Sequence, residues 1–517
     1  MWGWHLGVET SQGSYRQVGS RSVRHNRAMS PVMPRMERGT MRFRRILFLN
    51  LSYPDGHFAE DAVRIPPLGI GYVAETLRQH NIQCRVVDLG LGLGAGHAVR
   101  EVESWAPHAI AVSMMTFRYK HNYALLDIVR QACPETPIIA GGPHVSAFRQ
   151  DVLEQCRAID FGIALEGELP MLDLCEGRAV DEIAGLIHRK DGQVVMNPDA
   201  SPVTDLDSIP FPKYEDFDLD RYGDTVQICS SRGCPYHCIF CQAGKVLGSR
   251  WRARSAANVA EEIQYWYDRG RRLFSFVDDN FTLKRKRVEE LCNEIERRGI
   301  REARFVAAGV RADKVDRPLL ARMHEVGFSH LAFGVESGSD RILKLIRKGE
   351  RLADIDSAIR DSVDLGYRVT LYFVVGSPGE TLEDVRESVR FALKYPIENA
   401  YFSNLMPIPG TELYDRILDT GQLLMQPEQY LNEFAEFERV PLFDAPGMTL
   451  EERKTALEIT ANALTEIQKR AERRHERART RSRFARFGAF GRVFADFYSS
   501  SPGLAARRLA RFALARG

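Results

Sequence analysis

Cys234, Cys238 and Cys241 stand at C-x3-C-x2-C spacing within Ser231-Arg232-Gly233-Cys234-Pro235-Tyr236-His237-Cys238-Ile239-Phe240-Cys241. Three thiolates on one short loop bearing Gly233 and Pro235 can converge on a single soft metal centre. Thiolates favour iron–sulfur clusters and zinc. A zinc site normally takes a fourth protein ligand, and no further cysteine or histidine stands at zinc spacing here. His237 lies between the first two cysteines, where a loop wrapped round a cluster leaves it pointing away. Three ligands on a four-iron cluster leave one iron open, and an open iron can do chemistry instead of only carrying electrons. A zinc knuckle is the alternative reading of the same spacing.

Such a loop needs a rigid strand behind it, and the apolar run at 226–229 predicts one. Further strands are expected at 273–277, 304–308, 331–335, 369–375 and 400–406, with helical patterns between them. Ser255 is placed to cap a helix carrying Val259, Ile263 and Trp266, and Val288, Leu291 and Ile295 make another apolar stripe. About six β/α units predict a partial TIM-type barrel, whose working groups sit at the strand carboxyl ends. The cysteine loop follows the first strand, Asp278-Asp279-Asn280 the second and Gly309-Val310-Arg311 the third. Glu336-Ser337-Gly338-Ser339 follows the fourth, Gly376-Ser377-Pro378-Gly379-Glu380-Thr381 the fifth, and Pro407-Ile408-Pro409-Gly410-Thr411 the sixth. Each has a plainer reading: Asp278 and Asp279 as helix caps, Glu336 as a carboxylate at a helix N-terminus, Gly-x-Pro-Gly as a turn. Their joint placement at successive strand ends favours function.

Ahead of this unit, residues 41–170 alternate strands (46–51, 86–89, 109–114, 138–140, 159–163) with helices (67–78, 123–132). That pitch predicts a doubly wound, Rossmann- or flavodoxin-like parallel sheet, which binds ligands beyond the carboxyl ends of its strands. Ser113, Gly141-Gly142-Pro143-His144 and Glu166-Gly167-Glu168 fall at those ends. Residues 171–222 are expected to form a hairpin at 187–196, turning on Asp191-Gly192, and then a proline-rich extended linker at 202–212.

The 517 residues, 44% hydrophobic, suffice for two or three full cores. A net charge of +2 does not suggest a nucleic-acid partner for the molecule as a whole. Nine cysteines in this length are no disulfide framework. Cys84, Cys133, Cys156, Cys175, Cys229 and Cys292 are scattered and expected to be buried thiols. An exposed iron–sulfur site needs a reducing compartment, so cytoplasmic location is expected, and no run approaches a membrane span. Residues 1–40 lack periodicity and a signal-peptide core. They are expected to be a disordered extension or a misassigned start.

The cysteine loop, with Phe240 before its last cysteine, resembles that of the radical S-adenosylmethionine (radical SAM) enzymes. Residues 223–420 resemble the radical SAM barrel. Pro66-Pro67-Leu68-Gly69, Ser113, Gly-Gly-Pro-His and Glu-Gly-Glu together resemble the cobalamin-binding domain that precedes many such barrels. The resemblance implies a [4Fe-4S] cluster on Cys234, Cys238 and Cys241, whose open iron chelates S-adenosylmethionine. One electron then yields a 5′-deoxyadenosyl radical. It further implies S-adenosylmethionine contacts from Phe240, Asp278, Glu336, Ser337 and the 374–376 backbone including Gly376, with Arg311 on the methionyl carboxylate. Cobalamin is expected at Ser113, Gly141, Gly142, His144 and Glu166. The Asp-x-His-x-x-Gly motif that supplies a cobalt-binding histidine elsewhere is absent; Leu-Gly-Leu-Gly-Leu-Gly follows Asp88.

The chemistry this implies is methylation of an unreactive carbon of a small-molecule or lipid-like substrate. One S-adenosylmethionine methylates cobalamin and a second makes the radical, with flavodoxin or ferredoxin as electron donor. A cobalamin-dependent cyclase or oxidoreductase would use the same parts. An RNA methylthiotransferase would need a second set of three cluster cysteines, for which Cys84, Cys133 and Cys156 are too dispersed. A non-catalytic cobalamin sensor would not need the intact cysteine loop. Residues 421–517 are expected to be helical, with a long helix over 451–476. A basic tail follows, carrying Phe484, Phe487, Phe494, Phe497 and Tyr498 and a second short helix at 504–515. Basic amphipathic helices lie on membrane surfaces; a solvated or partner-binding tail is the alternative.

Overall fold

The computed structural model describes residues 42–51, 64–433 and 440–499, with side chains through residue 477. The expectations for residues 1–40 and 504–515, and for the side chains of Phe484, Phe487, Phe494, Phe497 and Tyr498, lie outside what it describes.

The first sheet comprises β1 (Arg45–Asn50), β2 (Gln83–Asp88), β3 (Ala109–Ser113), β4 (Ile138–Gly141), β5 (Phe161–Ile163), β6 (Leu186–Lys190) and β7 (Gln193–Met196). Its order is β2-β1-β3-β4-β5-β6-β7, parallel through β5 and antiparallel beyond. Ile46, Leu47, Phe48 and Leu49 are all buried. A central parallel strand is covered on both faces, so it carries an unbroken apolar run instead of alternation. The chain order reverses between β1 and β3, which makes a crevice at their carboxyl ends.

The expected hairpin turns on Asp191 (φ 51°) and Gly192 (φ 81°). It joins this first sheet instead of standing in the connector. A three-residue β5 would otherwise leave an open edge, and β6 and β7 cover it.

The second sheet is sequential and all parallel: β8 (Thr225–Ile228), β11 (Leu273–Phe276), β12 (Arg304–Val310), β13 (Phe328–Glu336), β14 (Arg368–Val375) and β15 (Asn399–Asn404). Val375 packs with Val385, Ala456 and Leu457 of helices outside the sheet, and Tyr372 stacks 5.2 Å from Tyr401 of the next strand. Ser255 caps the helix Ala256–Asp268, accepting from the Asn258 amide at 3.1 Å. Between β8 and β11, a two-residue ribbon pairs β9 (Ser231–Arg232) with β10 (Arg252–Ala253). The cysteine loop springs from this ribbon.

The final helix runs Leu450–Ser499, past the expected end at 476. Gly488 and Gly491 cost it about 1 kcal/mol each, which its helix-forming neighbours outweigh. Ile467 and Ala471 are buried on the barrel side. His475 pairs with Glu398 at 2.8 Å.

Candidate active site between two sheet edges

The cysteine loop is pinched shut at its base. Gly233 has φ 83°, and a Cβ there would come within 2.6 Å of the carbonyl oxygens of Gly248 and Arg250. Only glycine fits this position. The Cys234 amide donates to the Gly248 oxygen at 3.3 Å, and the Ile239 amide, beneath the loop, to Ile346 at 3.2 Å. Cys234 and Cys238 are half-buried, Cys241 is exposed, and His237 is exposed. Phe240 is partly buried against the barrel core. Burial pushes the half-buried Cys234 and Cys238 thiols up, Cys238 to about 12. They stay protonated until a cation takes the protons' place. Among the described residues no three cysteine, histidine or carboxylate groups converge on a single ion. Three thiols and no fourth ligand on one short loop are the donor set of a cluster with an open iron.

Below the loop the structure redirects one expectation. Asp278 accepts from Ser230 Oγ at 3.0 Å and Ser231 Oγ at 2.5 Å. Buried under the loop, it braces Ser230 and Ser231 and does not cap the next helix, whose N-cap is Lys284. Its neighbours are better placed. Asp279 Oδ2 and both polar side-chain atoms of Asn280 are buried without a partner. An unsatisfied buried amide costs about 1–3 kcal/mol per group, so this end of β11 fits a polar ligand.

Arg311 and Ser337 are likewise committed within the protein. The Arg311 guanidinium donates to Asp313 (2.9 Å) and to the Lys348 and Gly349 carbonyls (3.1 Å each), and lies 3.5 Å from the Tyr236 ring centre. It also packs on the cysteine loop through Tyr236. Ser337 is buried and accepts from the Ser339 amide at 3.3 Å. Glu336, at φ 66°, folds back over Gly334 to the buried Lys348 ammonium at 3.1 Å. Lys348 also meets Glu350 at 3.4 Å. Burial opposes that ammonium, but the two carboxylates keep its pKa above the usual lysine value.

At the end of β14, Gly376 has φ 93°, and its missing Cβ leaves room for the Arg453 guanidinium, which donates to the Gly376 oxygen at 3.2 Å. Glu380 Oε2 accepts from the amides of Gly376 (2.6 Å) and Ser377 (3.1 Å), while its Oε1 and the Ser377 hydroxyl are buried without partners. Burial raises Glu380 to about 7.

On the first sheet, Ser113 and Gly141 lie side by side at the ends of β3 and β4. Gly142 has φ 95° and sits so close that a Cβ would lie 3.0 Å from Ser113 Oγ and the Met114 oxygen. Thr116 Oγ1 is buried there without a partner. The missing side chain and this orphaned hydroxyl fit a large ligand laid against the edge. His144 donates its amide to the Met114 oxygen at 3.0 Å, while its ring is fully buried, bonded to the Tyr123 hydroxyl at 2.8 Å and stacked 4.8 Å from Tyr119. Burial lowers it to about 3, so the ring is neutral, and its Nδ1 is buried without a partner. Glu166 also departs from expectation. Its carboxylate takes Arg232 (3.0 Å), Arg252 (2.8 Å) and the Val203 amide (2.9 Å). Burial alone would raise it, but the two guanidinium groups hold it low.

The two edges face each other. The helix Pro143–Phe148, which follows Gly142, packs on the helix Ala243–Val246, which follows Cys241. Leu68 and Tyr72 of the first domain share a small core with Cys229 and Ile209.

The Radical SAM superfamily model matches residues 228–392, and the B12 binding domain model matches residues 57–174. The chain is 30% identical over 369 residues to an uncharacterized methyltransferase of Pyrococcus horikoshii, covering 69% of this chain and 80% of the relative. It is 27% identical to the cytidylyl-2-hydroxyethylphosphonate methyltransferase of Streptomyces wedmorensis (76% and 84% covered). It is 26% identical to the anaerobic magnesium-protoporphyrin IX monomethyl ester cyclase of Rubrivivax gelatinosus (72% and 70%). Among solved structures it shares its fold with the radical S-adenosylmethionine methyltransferase TsrM of Kitasatospora setae (TM-score 0.63, 19% identity, 73% of this chain and 76% of that one). The cobalamin-dependent radical enzyme OxsB gives a TM-score of 0.60 at 20% identity, over 73% and 55% of the two chains.

Proposed function

Because this chain belongs to the radical SAM superfamily, in the group that carries a B12-binding domain ahead of the barrel, we propose that it methylates an unactivated carbon of a small-molecule or lipid-like substrate. Its cofactors are a [4Fe-4S] cluster, S-adenosylmethionine and cobalamin. When bound, the first two supply a carbon radical and the third a transferable methyl group.

The observation that carries the reading is the face-to-face packing of the two carboxyl edges through the helices Pro143–Phe148 and Ala243–Val246. Cys234, Cys238 and Cys241 would hold the cluster. Asp279, Asn280, Glu336, Phe240 and the backbone at Gly376 would hold S-adenosylmethionine. Ser113, Gly141 and Gly142 would form the floor for cobalamin. Tyr430, Leu431 and Phe443, all fully buried, help exclude water. Tyr430 donates to the Pro407 oxygen at 2.5 Å, while the Leu431 oxygen accepts from the Arg118 amide at 2.7 Å, so this segment bridges both domains. Arg311, Lys348 and Arg453 all have protein partners, which favours an uncharged reacting part of the substrate.

Anaerobic turnover tests the proposal. Methylation yields S-adenosylhomocysteine together with 5′-deoxyadenosine, and a product heavier by one methylene. A product lighter by two hydrogens, with 5′-deoxyadenosine alone, would establish the cyclase chemistry instead. A flavodoxin- or ferredoxin-type donor should support turnover.

No helix among the described residues is long and apolar enough to cross a membrane. The basic segment beyond Arg477 suits peripheral contact with an anionic surface, worth ~1 kcal/mol per basic residue. Full-length protein should co-sediment with anionic vesicles at low salt. A chain ending after Arg477, which keeps the His475–Glu398 pair, should not; equal pelleting of both would end the membrane reading.

A further inference from the structure

Four charged side chains meet where the cysteine loop leaves the barrel. Arg232 and Arg252 face each other across the β9–β10 ribbon, and the residues between them are the whole loop, from Gly233 to Trp251. Both side chains reach into the first domain. Arg232 meets Glu166 at 3.0 Å and Glu168 at 2.6 Å, and Arg252 meets Glu166 at 2.8 Å. Arg232 also lies 5.0 Å from the ring centre of Tyr72, whose hydroxyl donates to the Cys229 oxygen at 3.2 Å. All four charged groups are buried, and their charges cancel.

The barrel end of the ribbon is fixed separately, by the Asp278 bonds to Ser230 and Ser231 and by Arg287 donating to the Ser230 oxygen at 2.8 Å. Glu166 and Glu168 follow β5, next in the sheet to β4, which ends at Gly141 just before Gly142. The carboxylates that grip the base of the loop thus stand on the same edge as the floor assigned to cobalamin.

We infer that Glu166 and Glu168 are positioning residues that clamp the base of the cluster loop, so that the B12-binding domain sets where the cluster stands. A buried ion pair is a poor source of net stability but is costly to break and exacting in geometry. That suits a part whose purpose is register. The inference rests on the cysteine loop being the cluster site.

The test is hydrogen–deuterium exchange on the full chain without cofactors. In Glu166→Gln/Glu168→Gln, amides from Cys234 to Arg250 should exchange about tenfold faster or more, as local opening becomes cheaper. The helix Arg285–Arg297 should be unchanged. Glu75→Gln is the control, because Glu75 is as deeply buried and pairs with Arg78 and Lys213 away from the loop. It should leave loop exchange as it was. After reconstitution the double variant should keep its iron, since its cysteines are intact, but show an altered electron paramagnetic resonance spectrum of the reduced cluster. Should the double variant fold poorly, Glu168→Gln alone must still speed loop exchange. Loop exchange equal to wild type, or equally accelerated by Glu75→Gln, overturns the clamp. Wild-type protein that takes up no iron would instead overturn the cluster assignment, so the two failures are distinguishable.

Discussion

The two carboxyl edges that meet at the site are built on opposite terms. Where β3 and β4 end, the edge of the first sheet is held by shape: glycine at Gly141 and Gly142, a close approach of Gly142 to Ser113, and an orphaned hydroxyl at Thr116; its buried charges, Glu166 and Glu168 beyond β5, reach across to the cysteine loop. The barrel edge is held by charge, through Lys348 between Glu336 and Glu350, Arg311 on Asp313 and Tyr236, and Arg453 at Gly376. A broad ligand laid on a flat edge needs missing side chains. A reactive centre on a loop needs that loop fixed to within fractions of an ångström, and buried charge networks supply stiffness because they tolerate little displacement.

The largest effect expected from breaking either edge is at the cysteines. Replacing Cys234, Cys238 and Cys241 by Ala should remove iron and reductive cleavage of S-adenosylmethionine together, while cobalamin binding at the shape-held edge persists. Iron analysis and cobalamin absorbance read the two separately, and a full iron load in the triple variant would refute the site.

Next comes Lys348→Met, which leaves Glu336 and Glu350 buried without their ammonium. A loss of about 3–5 kcal/mol is expected, measured by denaturant unfolding of the cofactor-free protein. A loss below 1 kcal/mol, the scale of an exposed pair, would mean that charge does not hold this edge.

Glu380 gives a comparable effect that depends on pH. Its folded pKa of about 7 stands above its ordinary 4.5, so the native state binds the extra proton between those values. Its contribution to stability is therefore fully present below pH 4.5 and is lost as pH rises through about 7, on the order of 3 kcal/mol. Wild type and Glu380→Gln should diverge across that window, with the variant lacking this part of the decline. Parallel curves would show that the carboxyl is not strained by burial.

The smallest effect is expected on the other edge. Thr116→Val removes a hydroxyl that has no partner, so cofactor-free stability should stay within about 0.5 kcal/mol or rise slightly. Cobalamin affinity should fall several-fold if the hydroxyl serves the ligand. A stability loss as large as that of Lys348→Met would erase the contrast between the edges.

Much of this was legible in the residues. Periodicity located both sheets, because a buried parallel strand must be apolar and a connecting helix must carry a 3.6-residue stripe. The cysteine spacing marked the cluster loop, and the turn glycines marked strand ends, since both are local constraints on a few consecutive residues. The edge to which the hairpin β6–β7 would add was not legible, because pairing joins residues distant in the chain.

The functions of the polar residues at the strand ends were the least visible. Glu166, Asp278, Arg311 and Ser337 stand where cofactor contacts were expected, yet the tertiary structure gives each of them a protein partner. Those partners lie on other elements or across a turn, and nothing in the local sequence announces them. Asp279 and Asn280, beside Asp278, keep buried polar atoms without protein partners. Local sequence determined which residues could do chemistry and on which loops they stand. Long-range packing decided which remain available, because a buried polar group must find a partner wherever the fold brings one.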